Sequence, residues 1–339
     1  MLPPVRQFVA SDSARVYRIA CRVMAGLTAR VYLMLGAGPP TLVDTGSGEA
    51  ASNEDIAAGL SEVALRFGEP FSPGDIRRII LTHAHGDHFG GLGEWVRCRG
   101  GRLEVMAHRL DAEPIERWDE HAWVLRRRLE RLLDEADSPP ELRAEILQAA
   151  GYEPGRFAPV PITAWLDDGA ELDGIHVVHT PGHSPGHVCL RLGDILLCAD
   201  HLLAQTVPQQ WPEWLLPGTG LERYFHSLDR VERLEGVRLA LPAHEAPIED
   251  VGRRIAAIRA SHYRRLDRLV DLPRTAGRAM SLAELTEQSY PASRGLRAFL
   301  AFCDTAARVE YLVRQGRLVA LDPSGAGGAK TPGLRFRPT

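Results

Sequence analysis

The sequence predicts an α/β protein, with a strand-rich body, a helical insert within it and a helical module after it. Three observations predict this. Short apolar runs of strand type recur between residues 29 and 245, each closed by a turn rich in Gly, Asp or His. Residues 112–150 interrupt them with helical spacing. Beyond Pro247 the order becomes helix, helix, helix, strand. A chain of 339 residues, 45% hydrophobic and 25% charged, has the length and composition for two globular domains.

In chain order, "ARVYLMLG" (29–36) and "TLVDTGSG" (41–48) read as paired strands across an "AGPP" turn. "SNEDIAAGLSEVALRFG" reads as a helix with Ser52 or Asn53 as N-cap and Gly68 as its stop. "IRRIILTH" (76–83) is a buried strand, followed by a short helix and a further strand, "RLEVMAHR". In the insert, Val124, Leu125, Leu129, Leu132, Leu133 and Ala136 share one helix face, and "PPELRAEILQAAG" supplies a second helix. Strands resume with "GIHVV", "HVCLRLGDILLCAD" and "VRLALPAHE". At the C-terminal end "IAAIRASHYRRLDRLVDL" is a long helix. "SLAELTEQSY" opens with a Ser281/Glu284 capping box, and "RAFLAFCDTAARVEYLVRQ" ends at Gly316 before the strand "GRLVAL". This order resembles a small winged-helix module over 251–321. Residues 322–339, rich in Gly and Pro, are expected to be a flexible tail.

A net charge of −4 gives no general attraction to nucleic acid or anionic membrane. Lys330 is the only lysine among 40 basic residues, so arginine clusters carry less meaning here than elsewhere. The five cysteines (Cys21, Cys98, Cys189, Cys198, Cys303) are scattered and form no C-x-x-C pair, which points to a reducing, cytoplasmic setting without disulfides. No apolar run approaches the roughly 18 residues that would span a bilayer.

The chemistry concentrates in "LTHAHGDHFGG" (81–91). His83, His85, Asp87 and His88 follow a strand, and Gly86 is expected to let the backbone fold tightly between them. Imidazole and carboxylate suit zinc, iron or manganese. Four donors within six positions exceed what one ion takes from so short a segment, so two ions are expected if other segments contribute. "HTPGHSPGH" (179–187), "LLCADHLL" (196–203) and "LALPAHE" (239–245) each place His or Asp directly after a buried strand. No G-x-S-x-G element suggests a covalent route.

"THAHGDH", "TPGHSPGH", "CADH" and "PAHE", with "VDTG" at 43–46, together resemble the metallo-β-lactamase-fold hydrolases. The resemblance covers about 15–250 and implies an αββα sandwich domain over 1–250, with the helical insert 112–150. It implies one metal on His83, His85 and His183, another on Asp87, His88 and His244, and Asp200 bridging them, with a hydroxide between the ions as attacking group. It implies that Asp87 also orients that hydroxide and carries its proton to the leaving group, so that Asp87 is catalytic. Two divalent ions, zinc first and iron or manganese as alternatives, are the expected cofactors. His187 and His201 are expected beside the ligands, and Asp44 behind one of them as its orienting partner. His108, His121, His176, His179, His226 and His262 lie outside the motif. One departure stands out: Glu245 follows the last ligand, where the family more often has Gly.

The insert and the C-terminal module resemble the subgroup that contains acyl-thioester hydrolases and an RNA-cutting relative. The expected activity is hydrolysis of a thioester or other carboxylic ester on a small-molecule or acyl-carrier substrate, with Trp123, Arg126, Trp211 and Trp214 as candidate substrate contacts. The alternative is a metal-dependent endoribonuclease whose C-terminal module holds single-stranded nucleic acid. For that reading, residues 253–317 carry 13 arginines against six acidic residues. The C-terminal module is also a candidate homodimer contact.

Overall fold

A computed structural model describes residues 2–24, 26–99, 103–321 and 333–339. The chain divides into two compact units, each assembled from three segments. The first comprises 1–118, 155–208 and 227–255; the second comprises 119–154, 209–226 and 256–339. These divisions do not follow the expected step at 250/251. The insert helices and residues 209–226 group with the C-terminal elements.

The first unit is built on two sheets. The seven-stranded sheet runs in sequence order through Arg6–Val9, Arg15–Met24, Leu27–Leu35, Thr41–Val43, Arg78–Ile80, Glu104–Ala107 and Ala164–Trp165. Its first four strands pair antiparallel and the remainder parallel. The five-stranded sheet is ordered Leu239–Pro242, Ile195–Ala199, Val188–Leu192, Ile175–His179 and Glu171–Leu172. Period-two alternation directs Val16, Tyr32, Met34, Val43 and Ile80 of one sheet toward Val177, Val188, Leu190, Leu197 and Leu241 of the other, and these form one buried core. The opposite face of the Arg15–Met24 strand takes the helix Ala50–Phe67 through Ile56, Leu60 and Val63. Gly59 is needed there, because a Cβ would lie 2.2 Å from Ile19 Cγ2.

Three local expectations change. That helix begins at Ala50, and Ser52 is not its cap: the buried Ser52 hydroxyl accepts the Ser47 N–H at 3.2 Å. The strand Arg15–Met24, the longest in the protein among the described residues, lies ahead of the first expected strand. Gly86 does not adopt a positive φ; it opens the short helix Gly86–Phe89, and a Cβ there would meet the Phe157 ring at 2.7 Å. Gly68 does stop its helix with a left-handed φ of 65°, as expected.

In the second unit the insert forms the helices Trp118–Glu135 and Pro140–Ala149, the first of them starting one residue before the division. They accompany Val251–Ala276, Leu282–Ser289 and Leu296–Arg314. The Ser281/Glu284 capping box is present in both directions. A three-stranded antiparallel sheet follows the order Met280–Ser281, Arg335–Pro338, Leu318–Leu321. Arg335–Pro338 thus forms a strand in what was expected to be a tail. Arg335 is fixed by Glu284 and Asp137, which a composition-based reading does not see. Residues 322–332 of that expected tail lie outside the described residues. No helix among the described residues is long and apolar enough to cross a membrane.

Candidate metal centre

All seven expected ligands lie in the first unit, on turns that leave strands or, for Asp87 and His88, in the short helix Gly86–Phe89 that follows one. Parallel pairing of Thr41–Val43 with Arg78–Ile80 sets Asp44 beside the turn that begins at Leu81. Parallel pairing of Ile195–Ala199 with Leu239–Pro242 sets Asp200 beside His244. His183 sits in the loop 180–187, closed by Thr180 N–H donating to His187 O at 2.8 Å.

The donor atoms converge. Three groups bring one donor atom from each residue to within 4.8 Å of one another: His83, His85 and His183; His83, His88 and Asp200; Asp87, His88 and His244. His83 Nε2 and His85 Nδ1 are 3.0 Å apart. His183 Nε2 is 3.4 Å from Asp200 Oδ2, while His244 Nε2 is 3.4 Å from Asp87 Oδ2 and 3.5 Å from Asp200 Oδ1. His88 Nε2 lies 3.7 Å from Asp200 Oδ1 and 3.8 Å from Asp87 Oδ2. Asp200 therefore stands between the two histidine sets.

The electrostatics suit a cation. Burial, with the neighbouring rings of His88, His85 and His183, holds His83 neutral, well below the usual imidazole range. Burial and His183 bring His85 to about 3. Burial opposes ionisation of Asp87 and Asp200, yet His88 and His244 hold both carboxylates below their ordinary value. The reverse holds for His88 and His244. Burial lowers them, but Asp87 and Asp200 outweigh it, raising His88 well above the usual range and His244 to about 9. Two anions and a set of lone pairs face one point. Among the described residues the buried His88 Nε2 and Asp200 Oδ1 have no hydrogen-bond partner, which fits a site whose polar atoms a bound cation would satisfy in place of the His88 proton. The donor set is of the kind zinc, iron or manganese accepts.

The outer partners fix the rings. Asp44 Oδ2 accepts from His88 Nδ1 at 2.9 Å, which leaves Nε2 as the donor atom. The same carboxylate accepts from Thr82 N–H at 2.8 Å, and the Thr82 hydroxyl stands 3.1 Å from His83 Nδ1. His244 Nδ1 is held 2.8 Å from Thr28 O. His187 and His201 are fully buried; the His187 ring lies 5.0 Å from that of His83, with Nδ1 bonded to Thr180 Oγ1 at 2.8 Å.

Asp111 is a member that sequence reasoning missed. Its buried carboxylate accepts Ala84 N–H at 3.0 Å, Ser184 Oγ–H at 2.6 Å and Gly186 N–H at 2.6 Å. One side chain thereby ties the turn of His83 and His85 to the loop of His183. Burial pushes its carboxyl above the usual value despite those three donors. No motif announces it, since "HRLD" follows a strand like many turns. Its position on the short 3-10 turn Arg109–Asp111, just after the strand that pairs with Arg78–Ile80, was the available hint.

Three non-glycine residues with left-handed backbones border the centre: Asp44 (φ 63°), Ala199 (φ 42°) and Glu245 (φ 63°). Strain of this kind gathers where surrounding contacts over-determine the chain.

The four candidate substrate contacts all belong to the second unit. Trp123 is 63% exposed, and Arg126 is paired with Glu130 at 3.4 Å. Trp211 stacks obliquely on Phe299 with ring centres 5.3 Å apart, and Trp214 is partly exposed.

The profile of the metallo-beta-lactamase superfamily matches residues 26–245. The chain is 26% identical over 295 residues to the probable metallo-hydrolase YqjP of Bacillus subtilis, covering 83% of this chain and 86% of that one. It is 26% identical over 234 residues to the acyl-coenzyme A thioesterase MBLAC2 of Bos taurus, covering 65% and 74% respectively. A crystal structure of the metallo-beta-lactamase family protein TTHA1429 from Thermus thermophilus superposes with a TM-score of 0.71 at 28% identity, covering 96% of this chain and 98% of that one. With its donor residues gathered at strand ends and the profile spanning well over half its length, the chain belongs to the metallo-beta-lactamase superfamily.

Proposed function

We propose that this metallo-hydrolase is a thioesterase or related carboxylic-ester hydrolase working with two divalent ions, zinc being the first candidate. His83, His85 and His183 would hold one ion and Asp87, His88 and His244 the other, with Asp200 between them. The observation that carries the reading is the chain of overlap among the three donor groups: His83 joins the first to the group that holds Asp200, and His88 joins that group to the third. Such ions acidify water and polarise a carbonyl oxygen. The chain's own residues then do the rest. Asp87 is half-buried and ionised, so its carboxylate can accept the proton lost by the attacking water and return it to the departing sulfur or oxygen. Asp44 and Asp111 hold the imidazoles in register throughout.

Similarity to an acyl-coenzyme A thioesterase supports thioesters as the substrate class. The C-terminal elements, three helices with a small antiparallel sheet, support a winged-helix-like module, and acyl carriers are its proposed partners. The endoribonuclease reading ranks second. Six of its 13 arginines, Arg265, Arg274, Arg278, Arg308, Arg314 and Arg317, are engaged by carboxylates of the same segment.

Metal-loaded protein offered acyl-coenzyme A esters, lactones and single-stranded RNA is expected to turn over the thioesters. Turnover of RNA alone sinks the proposal. Asp87→Ala is expected to keep the fold and abolish hydrolysis, and metal analysis is expected to return two ions per chain.

A further inference from the structure

Glu245 follows His244 directly and takes a left-handed φ of 63°, a conformation glycine adopts without cost and glutamate does not. Its carboxylate is fully engaged by one short loop. It accepts the N–H of Gln205, the N–H of Thr206 at 3.1 Å and the Thr206 hydroxyl at 2.6 Å. Its carbonyl oxygen accepts from the buried guanidinium of Arg18. The same loop is gripped a second time, because Arg254 donates to Leu203 O and Thr206 O. This loop is the continuation of the turn that carries Asp200. We propose that Glu245 is a positioning residue: its carboxylate ties the turn of His244 to the chain leaving Asp200, keeping His244 Nε2 and Asp200 Oδ1 at their 3.5 Å spacing. The role rests on the reading of these two residues as metal ligands. Glycine would relieve the backbone but remove this side-chain tie, leaving the strand pairing and the Ala243 N–H to Ala199 O bond at 3.0 Å to join the two turns; the carboxylate accounts for a strained non-glycine residue here.

The test uses the full chain with Glu245→Gly and Glu245→Gln. The glycine variant suits the backbone and folds, while glutamine keeps one acceptor oxygen for the loop amides. In Glu245→Gly the amides of Gln205 and Thr206 are expected to exchange at least tenfold faster in metal-free protein. Cobalt is expected to bind at least fivefold more weakly, with an altered visible spectrum, and kcat to fall more than KM changes. Glu245→Gln is expected to restore cobalt affinity to within twofold of the wild type. Unchanged amide exchange in Glu245→Gly overturns the tie itself. Faster exchange with wild-type cobalt affinity and spectrum overturns its role in placing the donors. Failure of the wild type to take up cobalt overturns the metal reading and the role with it, a result distinct from the other two.

Discussion

Replacing Asp44 with asparagine tests how the donor atom of His88 is chosen. The carboxylate presents only acceptors, Oδ1 toward Thr82 N–H and Oδ2 toward His88 Nδ1 at 2.9 Å. Asparagine keeps the shape and tolerates the φ of 63° better than most residues. Its oxygen still serves Thr82 N–H, which places the amide NH2 against His88 Nδ1. That nitrogen must then accept, so the ring proton moves to Nε2, the atom facing Asp200 and Asp87. Metal binding through Nε2 then requires undoing this tautomer and breaking a hydrogen bond. Losing the outer partner of a ligating histidine typically costs 10–100-fold in metal affinity, or about 1.4–2.7 kcal/mol. Competition between each protein and a chromophoric chelator measures it, with circular dichroism as the control for folding. Asp44→Asn is expected to bind metal 10–100-fold more weakly with its fold intact. An affinity within twofold of the wild type would refute the tautomer argument.

Other consequences can be measured in the same preparations. Asp111→Ala strands the N–H groups of Ala84 and Gly186, at about 1–3 kcal/mol each. Relief of a buried charge returns part of this, so we expect a loss of about 2–4 kcal/mol in denaturant unfolding of the metal-free protein; a loss below 1 kcal/mol would show that the tie is idle. Without metal, His88 and His244 have folded values raised above the unfolded one, so their contribution is complete below about 6.5; that of His244 fades as pH rises through about 9, and that of His88 fades above the usual imidazole range. Metal-free protein should therefore melt at lower temperature at pH 9.5 than at pH 6.5, and a flat profile contradicts the assigned charges. In the second unit burial raises Glu310 to about 7, with Glu213 N–H and Arg314 as its partners. Its contribution is complete below about 4.5 and lost as pH rises through 7, up to about 3 kcal/mol. Glu310→Gln should flatten the fall in stability between pH 5 and 8, and an unchanged slope would count against it.

The cluster of possible metal donors was legible in the sequence because its chemistry is local and its supports are regular. A strand run ends, a turn follows, and the residue type at that turn is itself the signal. His83, His85, Asp87, His88, His183, Asp200 and His244 all meet that description, and the structure brings them together. Asp111 was not legible, since an aspartate after a strand is common and its three partners lie 27, 73 and 75 residues away. The strand Arg15–Met24 was missed for a related reason. It is buried on both faces and broken by Arg18 and Arg22, so neither alternation nor a pure apolar run marks it. Arg335–Pro338 was hidden by its Gly/Pro-rich approach, while Asp137, Glu284 and two neighbouring strands hold it. Glu245 was visible only as an oddity. Its meaning needed the loop it holds.

Each compact unit is threaded from three separate stretches, and this imposes an order on synthesis. The helix Trp118–Glu135 leaves the ribosome with Leu125, Leu129, Leu132 and Leu133 destined for burial. The next segment of its own unit after Pro154 begins only at Gln209, 74 residues past the end of the helix at Glu135, and the last begins at Ala256. Until the segment that begins at Ala256 has emerged, this apolar stripe is a half-built interface, with apolar surface exposed during synthesis. Neither unit can be trimmed away by cutting the chain once, and any attempt to separate them must begin with re-joining ends rather than with a stop codon.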